Sequence, residues 1–208
     1  MENTPLVRIA RFFSGLFSPL LMPTYVVAVA LWATYLNVTT LGTRLMVLAA
    51  VFAFSCMLPI IVIFFLRAIK YIESTNLDNR RDRVIPYFIT TLTYIGLSIY
   101  LNRIHAPAWL ILFFAGTSAA GFINLLITLK WKISGHATAM GGLVAMAIFA
   151  SARNLAMHPQ WWWIIVAVMI AGVVASSRLL LRCHTPAQIA AGFLTGLLCI
   201  GIPVFVWG

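Results

Sequence analysis

The sequence predicts an all-α protein built as a bundle of membrane-spanning helices. Hydrophobic residues make up 62% of the 208 residues and charged residues only 9%, a balance typical of a polytopic membrane protein. Long apolar runs recur along the whole chain, and short polar segments separate them. No stretch has the composition of a linker, so we expect residues 1–208 to form a single integral membrane domain.

Seven apolar runs predict the helices in chain order, and about 20 residues are needed to cross the hydrocarbon core. The first run follows Arg8 and Arg11 and lacks a small-residue cleavage site behind it, which indicates a retained span and not a signal peptide. The third and fifth runs are short, so each of them is tilted, borrows loop residues or fails to cross, and we expect about six to seven transmembrane helices. The predicted spans cover about residues 16–36, 44–69, 87–102, 107–129, 137–152, 161–181 and 187–207.

The residues best suited to catalysis or to ligand binding stand at the ends of these spans. His136 precedes the fifth span, Arg178 lies near the end of the sixth, and His184 precedes the seventh. An unpaired guanidinium is costly in a membrane, and no acid lies near Arg178 in sequence, so a bound phosphate is its expected partner. Two histidines with an arginine can transfer a phosphoryl group: one attacks phosphorus, one protonates the leaving oxygen, and the arginine neutralises charge.

Other residues are candidates for holding that phosphate. Backbone N–H groups at the start of the fifth span, with the Ser134 hydroxyl and the flexible Gly135, can form an anion cradle, to which Lys132 adds charge. Alternatively, Ser134 only caps the helix. Ahead of the third span, Arg83 stands three residues before Pro86 and is the best-placed arginine of a charged run.

The scarcity of carboxylates argues against a metal site. The chain has only four acidic residues, Glu2, Glu73, Asp78 and Asp82, whereas a hard cation normally needs several oxygen ligands. The three cysteines have no metal-ligand spacing. We therefore expect phosphate chemistry that uses neither a metal nor another cofactor.

The polar segments are predicted to open on one side of the membrane. If all seven spans cross, two crossings separate the segment before Pro86 from the loop at His136, and two more separate that loop from the turn at His184. Of the 14 lysines and arginines, eleven fall on this face and three on the other, so the positive-inside rule predicts a cytoplasmic face. Six of these eleven basic residues would surround a bound phosphate on either face, and leaving them out reduces the count on this face to five. Orientation and anionic lipids thus explain the net charge of +10 better than nucleic acid does.

The motifs Ser134-Gly135-His136 and Ser177-Arg178, with His184 six residues after Arg178, resemble those of the type 2 phosphatidic acid phosphatase (PAP2) superfamily. Its motifs read Lys-x6-Arg-Pro, Pro-Ser-Gly-His and Ser-Arg-x5-His-x3-Asp, and the resemblance covers about residues 76–188. It implies a helical core of that superfamily and a phospho-histidine intermediate. By the resemblance, His184 is the nucleophile, His136 protonates the leaving oxygen, and Arg83, Arg178 and Ser134 hold the phosphate.

The sequence departs from the superfamily pattern at three places. Ile133 replaces the proline of the second motif, and Asn76 replaces the lysine of the first, where Arg80 or Lys132 would have to supply the charge. Gln188 stands where the third motif has an aspartate. A glutamine carbonyl can still accept a hydrogen bond from the nucleophilic histidine, but it cannot stabilise an imidazolium as a carboxylate does.

The sequence-level hypothesis is a metal-independent phosphatase for a lipid phosphate or diphosphate. Candidate substrates are phosphatidic acid, phosphatidylglycerol phosphate, a polyprenyl phosphate or diphosphate, and a lipid A phosphate, and the oligomeric state stays open. One alternative is a phosphotransferase that passes the phosphoryl group to another lipid. Another is a non-catalytic protein that binds or transports lipid phosphates. A third takes Asp78-x3-Asp82 as a prenyltransferase-like metal motif, although a second acidic cluster is missing from the sequence.

Overall fold

A computed structural model describes residues 4–72, 79–155 and 161–208. In these residues the secondary structure is helical, without a β-strand, and six helical segments are long and apolar enough to cross a membrane. The predicted fold class is therefore confirmed, and the protein is an all-α polytopic membrane helix bundle. Glu73, Asn76 and Asp78, which entered the sequence-based hypotheses, lie outside the described residues.

The described part of the chain forms nine α-helices. Their bounds are α1 Pro5–Leu16, α2 Met22–Ala33, α3 Leu41–Phe52, α4 Leu58–Ala68, α5 Val84–Arg103, α6 Ala108–Thr128, α7 Gly135–Ala152, α8 Trp161–Leu180 and α9 Pro186–Trp207. A π-helical turn over Ala53–Met57 joins α3 and α4 into one span. Pro59 explains the irregular turn, because it has no N–H to donate to the Ser55 carbonyl four residues earlier.

The two spans that looked short in the sequence are longer in the structure. Helix α5 begins at Val84, directly after a 3₁₀ turn over Arg81–Arg83, and helix α7 begins at Gly135 behind its N-cap Ser134. Both helices therefore reach back into the polar segments that precede them. As a result, the candidate residues of these segments stand on or next to helix ends, where their positions are fixed.

The first predicted span is wrong in its extent. Instead of one helix over residues 16–36, the chain leaves α1 at Phe17 and starts α2 only at Met22. Helix α2 ends at Ala33 because Thr34 is extended, and its hydroxyl accepts a hydrogen bond from the Leu36 N–H. Twelve residues of helix rise about 18 Å, well short of the roughly 30 Å hydrocarbon core.

Even so, the chain passes from one side of the bundle to the other between α1 and α3. Ser14 in α1 contacts His136 at the start of α7, whereas Tyr35 after α2 accepts a hydrogen bond from Trp109 Nε1 at the start of α6. The chain therefore covers the distance with a short helix and its flanking turns. Helix α1 lies on the same side as the candidate residues.

The larger of two hydrophobic core clusters occupies the half of the bundle away from those residues. Leu101 at the end of α5, Phe149 at the end of α7 and Val204 near the end of α9 are fully or almost fully buried there, together with Trp109 and Phe113 of α6. Packing in this half holds the helices together. The other half contains a smaller cluster, in which Met140 and Val144 of α7 pack with Val174 of α8, and a large cavity.

Close packing of α7 against α9 brings two of the polar segments together. A Cβ atom on Gly196 would overlap the Thr138 carbonyl oxygen, and one on Gly141 would overlap the Phe193 carbonyl oxygen. Only glycine permits the two backbones to approach so closely. At the polar end, the Ser134 N–H donates to the backbone carbonyl of Gln188 at 3.4 Å, so the first turns of α7 and α9 lie side by side.

Candidate functional site

A cavity of about 860 Å³ opens between the ends of α1, α5, α7, α8 and α9. It is lined by five of the residues that the sequence singled out: Arg83, Gly135, His136, Arg178 and His184. Arg11 of α1 also lines it, whereas the described lining residues include no carboxylate. The cavity therefore has a strongly positive wall, and an anion is its complementary ligand.

The turn between α8 and α9 explains the spacing of Arg178 and His184. Helix α8 ends in a Schellman motif, in which the Cys183 N–H donates to the Arg178 carbonyl and the Arg182 N–H donates to the Leu179 carbonyl. Arg182 takes the left-handed conformation that this motif needs, with φ of 52°. The chain reverses within a few residues, and so the Arg178 and His184 side chains face the same cavity.

Gln188 lies against His184 and fixes the position of its proton. The Gln188 Oε1 atom accepts a hydrogen bond from the Thr185 N–H at 3.2 Å, which identifies this atom as the carbonyl oxygen of the amide. The same oxygen is 3.1 Å from His184 Nδ1, so Nδ1 must carry the proton and donate it. In the neutral ring the lone pair is then on Nε2.

His184 is kept neutral by its surroundings. It is 7% exposed, stands just before the N-cap of α9 and lies outside the membrane-spanning helices. Burial and the nearby Arg83 guanidinium lower the pKa of His184 to about 3, the hydrogen bond to Gln188 opposes this change, and Arg178 and Lys132 lower it further. The imidazole is therefore neutral at neutral pH, with its proton on Nδ1 and a lone pair on Nε2.

The start of α7 combines helix capping with a contact to Arg83. The Ser134 hydroxyl accepts a hydrogen bond from the Ala137 N–H, and the residue is fully buried and does not line the cavity. Ser134 is thus a helix cap here, as one sequence-based reading allowed, and its side chain does not face the expected phosphate site. Ile133, which replaces the proline of the second motif, is also fully buried, and its carbonyl accepts from Arg83 NH1 at 3.1 Å.

Arg83 reaches the cavity from the start of α5 and is only 8% exposed. Tyr87, one turn further along α5, lines the same cavity next to Arg83. A Cβ atom on Gly135 would lie 2.9 Å from the Tyr87 hydroxyl oxygen. Gly135 therefore leaves room for this tyrosine, in addition to any role in the anion cradle that the sequence suggested.

Ser14 of α1 bridges His136 and Arg178. Its hydroxyl accepts a hydrogen bond from Arg178 NH1 at 2.7 Å, and its backbone carbonyl is 3.0 Å from His136 Nε2. Because a carbonyl can only accept, His136 Nε2 carries the proton in this contact. Ser14 thus offers two oxygen acceptors to the groups that were expected to act on a phosphate ester.

Two expected phosphate ligands do not face the cavity. Lys132 does not line it, although its charge contributes to the low pKa of His184. Arg80 precedes the 3₁₀ turn at the start of α5, and its carbonyl accepts a hydrogen bond from the Arg83 N–H. Both residues remain close enough in sequence to affect the site, but the structure does not place them as direct ligands.

Some residues of the cavity were missed in the sequence. Tyr87 follows Pro86 directly and lies four residues after Arg83, a helical spacing that would have indicated a contact. Ser14 carries no such indication, because 122 residues separate it from His136. Asn124 of α6 also lines the cavity and was not recognised as a polar residue inside a predicted span.

The fold and the cavity together define a polytopic α-helical membrane protein with a cationic, histidine-containing site at one end of the bundle. Within the described residues, no three His, Cys, Asp or Glu side chains come together in a group that could hold a metal ion. Comparisons of the chain with protein-family models, curated proteins and solved structures found no match.

Proposed function

We propose that this protein is a metal-independent phosphatase for lipid phosphates or diphosphates, acting through a phospho-histidine intermediate at the membrane surface. The observation that carries the proposal is the shared cavity of His184, His136, Arg83 and Arg178, with no carboxylate among its described lining residues. The resemblance of the motifs to the phosphatidic acid phosphatase superfamily supports the same chemistry. Membership of that superfamily is part of the proposal.

The proposed reaction has two steps. His184 Nε2 attacks phosphorus with its lone pair, and the bond from phosphorus to the lipid oxygen breaks. His136 enters this step as the imidazolium, with both ring nitrogens protonated, gives one proton to that oxygen and becomes neutral. Water then attacks the phospho-histidine, His136 takes the proton from this water, the P–N bond breaks and inorganic phosphate leaves. Arg83 and Arg178 neutralise the negative charge that the phosphoryl oxygens carry in both transition states.

The position of the cavity supports a lipid as the substrate. Its walls include apolar residues of the α1–α2 connection and of α4, namely Leu20, Leu21, Ile60 and Ile63. A phosphate held by the arginines at the helix ends would leave its hydrocarbon chain among these side chains, inside the membrane. We further propose that this end of the bundle faces the cytoplasm, because most of the basic residues lie on it.

The direct test is release of phosphate from a panel of lipid phosphates by the purified protein in excess EDTA. We expect turnover in EDTA, its loss in His184→Ala, and its retention in His105→Ala, a matched change at an exposed histidine at the opposite end of the bundle. Activity that vanishes in EDTA and returns with magnesium would contradict the histidine mechanism. Transfer of the phosphoryl group to a second lipid, and not to water, would instead identify a phosphotransferase.

A further inference from the structure

Arg11 of α1 lines the cavity but has no role in the proposed reaction. The described lining contains three arginines, and the other two hold the phosphoryl group in that reaction. Ser14 and Gly15 follow Arg11 by three and four residues and also line the cavity, so one face of α1 forms this part of the wall. Arg11 lies about 4.5 Å along the helix axis from Ser14. It is therefore one turn away from the point where Ser14 meets Arg178 and His136.

The Arg11 side chain is accessible to a ligand. The residue is exposed, and within the described part of the chain its guanidinium makes no hydrogen bond, ion pair or ring contact. By contrast, Arg83 donates to the Ile133 carbonyl and Arg178 donates to the Ser14 hydroxyl. A guanidinium has five N–H donors in a planar fork that matches the geometry of phosphate oxygens. Arg11 thus offers a complete set of donors at the edge of the phosphate site.

The leaving group of the proposed reaction lies on the α1 side of the cavity. His136 Nε2 is 3.0 Å from the Ser14 carbonyl oxygen, so the proton on this nitrogen points toward α1. A leaving oxygen that takes this proton approaches from the same side. The wall that α1 forms continues into Leu20 and Leu21 of the α1–α2 connection, which border the proposed position of the hydrocarbon chain. The group that joins the phosphoryl group to this chain therefore passes α1.

We propose that Arg11 binds a second phosphate group of the substrate, so that the protein prefers lipid diphosphates to lipid monophosphates. This inference rests on the proposed function for the position of the transferred phosphoryl group. A phosphate monoester carries a charge of about −1.5 to −2 at neutral pH, which Arg83 and Arg178 match. The second phosphate group adds negative charge, which Arg11 neutralises.

The reaction of a diphosphate follows the same two steps. The bond from the transferred phosphorus to the bridging oxygen breaks, and the bridging oxygen keeps the electron pair and takes the proton from His136. A lipid monophosphate leaves, and water then releases inorganic phosphate from His184. Arg11 stabilises the charge that develops on the departing phosphate group.

The test compares turnover of a polyprenyl diphosphate with turnover of the monophosphate of the same chain, both in excess EDTA. We expect the wild-type protein to prefer the diphosphate by at least about tenfold in kcat/KM. Arg11→Ala should reduce this preference by about tenfold, through slower turnover of the diphosphate. This is the lower end of the range for a charge-assisted hydrogen bond, because water screens an exposed guanidinium. Arg11→Lys retains the charge and should keep part of the preference.

Arg8→Ala is the matched control. Arg8 is an exposed arginine one turn earlier in α1 that does not line the cavity. Its replacement should leave the preference for the diphosphate unchanged. An equal loss of preference in Arg8→Ala and Arg11→Ala would overturn the inference, because it would show a general attraction of anions to the basic surface of α1.

Binding separates this inference from the proposed function. The ligands are a diphosphate analogue with a methylene group in place of the bridging oxygen and the matching lipid phosphonate, and binding is measured by tryptophan fluorescence. Equal binding of the two to wild-type protein, or a preference that Arg11→Ala leaves intact, would overturn the inference. Selective binding of the diphosphate analogue that depends on Arg11, without phosphate release from any substrate, would overturn the proposed phosphatase activity and leave the second phosphate site standing.

Discussion

Replacing Gln188 tests how His184 is prepared for attack on phosphorus. In the structure, one oxygen of Gln188 accepts hydrogen bonds from His184 Nδ1 and from the Thr185 N–H. Gln188→Leu removes this acceptor, and with it both hydrogen bonds, and leaves the imidazole free to turn or to place its proton on Nε2. By analogy with the loss of a partner of a metal-bound histidine, we expect a decrease of roughly 10–100-fold in kcat/KM.

Acidic substitutions at the same position should act in the opposite direction. A carboxylate about 4 Å from the imidazolium charge contributes about 4 kcal/mol at an effective dielectric constant of about 20. This corresponds to an upper bound of about three units in the pKa of His184. We therefore expect Gln188→Glu, which has the same shape, and Gln188→Asp to keep or raise activity, since positive charge develops on His184 during attack.

The pH dependence of kcat/KM shows whether a carboxylate at position 188 raises or lowers the pKa of His184. His184 must be neutral, with Nε2 unprotonated, to attack, and its pKa of about 3 puts loss of activity on the acid side near pH 3 in the wild-type protein. In Gln188→Glu this acid limb should move to higher pH, by about one to three units. The ratio of kcat/KM for the variant to that for the wild type removes the titration of the substrate phosphate from the comparison.

Thr185→Ala is the matched control, because it weakens the capping box of α9 and leaves the contact between Gln188 and His184 in place. We expect it to destabilise α9 by about 1 kcal/mol and to change kcat/KM little. Equal rates for wild type, Gln188→Leu and Gln188→Glu would refute the assignment of Gln188 as the residue that orients His184.

Four further outcomes are expected. Excess EDTA should leave turnover unchanged, and restoration by magnesium of an activity lost on chelation would count against the histidine mechanism. His136→Ala should slow turnover by about 10²–10⁴-fold, most strongly for poor leaving groups, because it removes the proton donor; a uniform effect on all leaving groups would exclude that role. Ser14→Ala should lower kcat/KM by about 3–10-fold, mainly through KM, by removing one hydrogen bond to Arg178, and Ser14→Thr, which retains the hydroxyl, should not. A cysteine at Asn79 should resist a membrane-impermeant reagent in intact cells and react after lysis; ready labelling of intact cells would put the site on the outer face.

The all-α membrane fold could be predicted because the length of each apolar run determines whether it can cross the membrane as a helix. Five of the seven predicted spans coincide closely with single helices in the structure, and α3 and α4 together form the other long one. The first span could not be placed from hydropathy alone, since Thr34 and the residues after α1 end the helices without interrupting the apolar composition. Hydropathy registers the apolar run, whereas the helix ends depend on local hydrogen bonds.

The candidate site was predictable where its residues are close in sequence and not where they meet only in the folded chain. The spacing of Arg178, His184 and Gln188 reflects one Schellman turn and one capping box, both of which are local. Ser14 and Asn124 enter the cavity through packing between distant helices, which no local pattern indicates. Ser134 lies at a helix start as expected, where its hydroxyl accepts a hydrogen bond from the Ala137 N–H and does not line the cavity.

The most direct test of the central claim is to trap the covalent intermediate. The purified protein is mixed with a lipid phosphate labelled in its phosphoryl group, quenched in alkali within milliseconds to seconds, and digested for mass spectrometry. We predict an acid-labile, alkali-stable phosphoryl group on His184, absent from His184→Ala and still formed in His105→Ala. Steady release of phosphate with no label on His184 at any quench time, or a label on another residue, would contradict it.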